Sequence, residues 1–93
     1  KHGITTDDGL REWGRRQAYI VLGNIMTAAA LLFVESCALE GIDYAAVDRV
    51  LAEEGLIDPA ADTFAVGVAL GYRAEDPKRE RTRRPLDEIA AFR

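Results

Sequence analysis

From Ala18 to Val34 only Gly23, Asn24 and Thr27 interrupt a run of apolar residues. A helix built on such a run has no polar face, so protein or lipid must enclose it. Arg11, Arg15 and Arg16 precede the run as they would a membrane span. However, the run falls short of the ~20 residues that cross a bilayer, and Gly23-Asn24 break it near its N-terminal end. A core or an interface is therefore the expected surrounding, with no membrane. The turns before the run are amphipathic, with Leu10 and Trp13 set among Arg11, Glu12, Arg15 and Arg16. The spacing thus predicts one long helix over 10–34. Its lead-in is 1–9, where Thr5, Thr6, Asp7 and Asp8 offer capping oxygens and acids for the positive end of the helix dipole.

Downstream, Ser36 to Leu39 reads as extended, and the span 35–43 includes a turn at Glu40-Gly41. Asp43 then caps a second helix over 44–54, which Gly55 ends. Val47, Val50 and Leu51 share one face of it, while Asp48, Arg49, Glu53 and Glu54 look outward. Pro59 and its acidic and small neighbours mark a surface connection. In 64–72, Phe64, Val66, Val68, Leu70 and Tyr72 alternate with Ala65, Gly67, Ala69 and Gly71, the pattern of a strand covered on both faces. A doubly covered strand belongs in a sheet of several strands, and the chain supplies few others. The remainder, 73–93, is an irregular basic arm and a short closing segment in which Pro85 can open a helical turn. The expected class is α+β. At 93 residues the chain is a single domain at most, and the orphaned strand and faceless helix make it a partial one, a piece of a larger fold or a subunit completed by another chain.

Charge divides the chain further. Residues 35–62 hold eight acids and one base, whereas residues 73–84 hold six bases and three acids. The net −4 opposes nucleic-acid binding through the overall field. One cysteine excludes an internal disulfide framework, and Cys37 with the single histidine, His2, excludes the usual zinc spacings. No histidine lies near Cys37 in sequence, so it is expected to be a buried, inert thiol, and His2 sits in a terminal stretch expected to be mobile. Glu53 and Glu54 read as solvated acids, not an acid-base pair. The chain opens on Lys1 without an apolar h-region, which gives no sign of a secretory leader and fits a truncated N-terminus.

Two features can carry chemistry. At Glu40-Gly41 a glycine lets backbone amides approach a planar or anionic group without an intervening side chain; the same pair can equally be a plain turn. In Arg81-Thr82-Arg83-Arg84, guanidinium groups at alternating positions of an extended arm project to one side and can grip a phosphate. A solvated arm or a weak nucleic-acid contact is the competing reading, although no aromatic residue lies within the arm to stack on bases.

Taken together, WGRRQAYIVLGN (13–24), ALEGID (38–43), VGVALGYR (66–73) and RTRRP (81–85) resemble, in order and spacing, the C-terminal portion of the nitroreductase family of FMN-dependent oxidoreductases. The resemblance implies a homodimeric α+β fold with the long helix near the dimer interface and the arm crossing to the other subunit. It also implies FMN at that interface and a reduced nicotinamide, NADH or NADPH, as electron donor. Nitroaromatic or quinone-like small molecules would be the acceptors, and the setting cytoplasmic. By the same resemblance Leu39, Glu40 and Gly41 face the flavin ring, and Arg81 and Arg83 hold its phosphate; no side chain is implied as catalytic. Ala38 stands where the family usually has proline, and Arg81 where lysine is common. Without the resemblance, a small helical interaction or oligomerisation module lacking catalytic activity is the leading alternative.

Overall fold

Thr6 starts the first helix. Its side chain accepts a hydrogen bond from the Gly9 amide at 3.0 Å, in the computed structural model that describes residues 3–93. His2 lies outside the described residues. Helix α1 covers Asp7–Leu31, with Asp7 and Asp8 in the first turn against the positive end of the dipole. It begins and ends three residues before the predicted 10–34. At its C-terminus Phe33 adopts a left-handed φ of 59°, and the Val34 amide bonds back to the Ala29 carbonyl at 2.8 Å. That reversal turns the chain into strand β1, Glu35–Leu39. Glycine usually fills the left-handed position of such a helix stop, which is why the apolar run gave no sign of ending at Leu31.

Asp43 accepts from the Ala46 amide at 3.0 Å and opens helix α2, Tyr44–Glu53. Gly55, at φ 70°, closes it, and the Leu56 amide reaches back to the Leu51 carbonyl at 2.9 Å. Strand β2, Gly67–Gly71, pairs antiparallel with β1, setting Glu35 opposite Gly71, Cys37 opposite Ala69 and Leu39 opposite Gly67. A single turn of helix, α3 at Leu86–Ile89, follows Pro85. The described residues are thus α+β, with a two-stranded antiparallel sheet and three helices.

Strand β2 is shorter than the alternation over 64–72 predicted. The residues before it are drawn instead to α2, where Asp48 accepts from the Thr63 hydroxyl at 2.7 Å and from the Phe64 amide at 2.6 Å. The Phe64 ring packs on Tyr44 with centroids 5.6 Å apart. These two donors hold the Asp48 carboxyl below its ordinary 3.8. A depressed carboxyl contributes its stability above pH ~4 and loses it as pH falls through the lowered folded value. Acidification through that window is expected to loosen residues 63–66 from α2, and Asp48→Ala to do so at neutral pH. The check is hydrogen exchange at the Phe64 amide, which should quicken several-fold in the variant; an unchanged rate would contradict the tether.

Among the described residues the buried apolar side chains are Leu22 and Ala29, both on α1. Leu31, Leu32 and Phe33 are 76%, 73% and 89% exposed at its end. The apolar run of α1 therefore touches the sheet along one side, with Ala18, Leu22 and Ile25 near Val66 to Val68, and much of the rest of its apolar surface is exposed. Cys37, expected to be buried, is exposed on β1, because no described element covers it. No described helix is long and apolar enough to cross a membrane.

Candidate functional site

Strand β1 carries Leu39 to its last position, opposite Gly67. A Cβ at Gly67 would stand 3.4 Å from Leu39 Cβ and 3.3 Å from the Phe64 ring, so glycine there lets Leu39 seat against β2. Immediately beyond, the Ile42 amide donates to the Glu40 carbonyl at 2.8 Å, a bond spanning two residues that closes a tight turn. In a trans peptide the carbonyl of Glu40 and the amide of Gly41 point in opposite directions. The Gly41 amide therefore faces away from the bond to Ile42, and among the described residues it meets no acceptor. Apart from Gly41 and its neighbours Glu40 and Ile42, a Cβ added at Gly41 would meet no described residue within 4 Å. An open donor beside a backbone edge free of side chains suits the polar rim of a planar ring.

The turn is held from α1. The Tyr19 hydroxyl donates to Oε1 of Glu40, and that bond to a carboxylate, followed by burial and the Glu40 charge, pushes Tyr19 up to about 12. Sequence reasoning passed over Tyr19 because it sits inside the apolar run. The available signal was its hydroxyl, which on such a helix needs a partner or water.

Beyond β2, Arg73 bonds Glu35 at 3.0 Å and Asp76 at 3.4 Å. The Glu35 bond and charge, then Asp76, raise its pKa further above the ordinary arginine value. Lys78 pairs with Glu75 at 3.8 Å and Arg84 with Glu88 at 3.3 Å. Arg81 and Arg83 pair with no carboxylate among the described residues. Arg83 Nη1 donates to the Thr82 carbonyl at 2.7 Å. Both guanidinium-bearing residues border one open hollow with Phe33, Val34, Glu35 and Ser36. Two cations without a carboxylate partner among the described residues, on one hollow, suit a phosphate.

The structure thus brings Arg81 and Arg83 together, and Leu39, Glu40 and Gly41 together, but sets the groups at opposite ends of β1. At about 3.4 Å per residue a five-residue strand holds them roughly 15 Å apart. No hollow among those described is lined by both groups. Arg81 and Arg83 border their hollow together with residues of α1 and β1 of their own chain. Among the described residues no group of three or more His, Cys, Asp or Glu is placed to hold a metal ion.

No family model matches the chain. Individual proteins do, over nearly all of it. A Staphylococcus saprophyticus protein named "Putative NAD(P)H nitroreductase" is 47% identical over 91 residues, covering 98% of this chain and 41% of its own length. A Bacillus subtilis protein of the same designation is 43% identical over 91 residues, with the same two coverages. One from Staphylococcus aureus is 40% identical over 88 residues, covering 95% of this chain and 40% of its own length. The chain is therefore similar to a C-terminal part of these proteins and spans about 40% of their length.

Proposed function

From this similarity to proteins named as NAD(P)H nitroreductases, we propose that the chain is the C-terminal part of an FMN-dependent NAD(P)H oxidoreductase with the nitroreductase fold. It works as a cytoplasmic homodimer with FMN at the subunit interface. The observation that carries the reading is the 47% identity over 91 residues, an alignment that covers 98% of the chain. When bound, FMN supplies two-electron transfer from a reduced nicotinamide to a small acceptor such as a nitroaromatic or a quinone. Leu39, Glu40 and Gly41 line the ring edge, where the Gly41 amide is a donor already aimed before the ligand arrives. Arg81 and Arg83 neutralise the phosphate through charge-assisted hydrogen bonds. Their separation along β1 within one chain is consistent with ring and phosphate contacts contributed by different subunits.

Taken alone, the 93-residue chain is expected to retain FMN poorly, because only the contacts above are available to it. The check is to purify it in parallel with the protein extended to the length of the relatives and to record flavin absorbance. Stoichiometric flavin on the short chain would contradict the expectation, and a long form without flavin would contradict the proposed function. The exposed apolar surface of α1 also supports a second reading, an oligomerisation module without catalysis. That reading requires a stable cofactor-free dimer of the 93-residue chain on gel filtration, where the first expects aggregation or partial folding.

A further inference from the structure

Glu40 is fixed at two points. Its carboxylate takes the Tyr19 hydroxyl from α1, and its carbonyl takes the Ile42 amide at 2.8 Å. Together these leave the peptide joining Glu40 to Gly41 little freedom to rotate, with the Gly41 amide turned away from the Ile42 bond and meeting no acceptor among the described residues. The Ile42 bond is local and comes with the turn, whereas the Tyr19 bond links residues 21 positions apart and sets how the turn sits on the helix. Tyr19 is 40% exposed, so water could satisfy its hydroxyl, and burial does not impose the contact. Tyr44 and Arg15 border the same hollow beside Tyr19. Neither of them bonds to the Glu40 carboxylate.

Resting on the oxidoreductase reading, we propose that Tyr19 is a positioning residue for bound FMN, acting through Glu40. By holding the Glu40 carboxylate toward α1, it keeps the Gly41 amide aimed at the ring edge and a negative charge away from the ring when the ring is electron-rich. A donor fixed in advance favours the reduced ring without reorganisation. A freely rotating acid beside the ring would oppose added electron density.

The test uses the full-length, FMN-loaded protein with tyrosine labelled at Cζ. In NMR at pH 10.5 the resonance missing from Tyr19→Phe should remain that of a neutral phenol, where ordinary tyrosines are mostly ionised. In Glu40→Ala it should ionise with the others. Tyr19→Phe should keep its flavin but shift the reduced-to-oxidised equilibrium about tenfold toward oxidised, ~30 mV for two electrons. In the Glu40→Ala background the same substitution should add nothing, since its effect passes through Glu40. An equal potential in Tyr19→Phe, an additive effect in the double variant, or a Tyr19 that ionises normally in the wild type would each overturn this inference while leaving the oxidoreductase reading intact. Wild-type protein that takes up no FMN would overturn both.

Discussion

Gly41→Val is expected to leave the apo protein folded while removing most of its flavin and its turnover. Gly41 is not at a positive φ, so an L-residue adopts its backbone without strain. Apart from the adjoining Glu40 and Ile42, no described residue lies within 4 Å of where the new Cβ would sit. The substitution therefore costs the fold little and acts on whatever ligand approaches the bare edge. Overpacking a close contact costs about 1–3 kcal/mol, or roughly five- to 150-fold in flavin affinity. The measurements are the thermal midpoint of the apo protein, expected to be unchanged, and FMN affinity with nicotinamide-driven turnover, both expected to fall. A variant with normal flavin occupancy and turnover would show that nothing approaches the backbone there.

Arg81→Ala and Arg83→Ala should each weaken FMN roughly five- to 150-fold, because each removes charge-assisted bonds to a phosphate. If both grip one phosphate, the double variant should lose less than the product of the two single losses. Riboflavin, which has no phosphate, is the control ligand: its affinity should be indifferent to both substitutions. Equal losses for FMN and riboflavin would place these arginines elsewhere. Neither residue holds a carboxylate among the described residues, so little folding stability should be at stake.

These effects depend on features that the sequence exposed to different degrees. Asp43 and Gly55 are chemical signals for the start and stop of α2, and that helix is found at 44–53 against a predicted 44–54. The end of α1 carries no such signal, since Phe33 occupies a position where glycine is usual and composition continues apolar past it. Likewise the 64–72 alternation does not reveal that Asp48, sixteen residues earlier, captures the Phe64 amide and leaves a five-residue β2. Exposure of Cys37 was hidden for another reason: thiol burial depends on which elements cover β1, a tertiary property. At the site, the four motifs named the Glu40-Gly41 turn and the Arg81 to Arg83 pair by resemblance. The Tyr19 contact and the distance separating the two groups required coordinates, because both follow from where α1 and the arm lie against the sheet.

The Arg73 contact with Glu35 has a thermodynamic consequence for the basic arm. It fastens the arm's root, just after β2, to the first residue of β1, so the guanidinium groups eight and ten residues later explore a small volume around the hollow. Their effective concentration there is that of a short tether rather than a free tail. Because the clasp is itself a half-exposed ion pair, screening by salt acts twice. It weakens the grip on an anion directly, and it lengthens the leash that keeps the grip nearby.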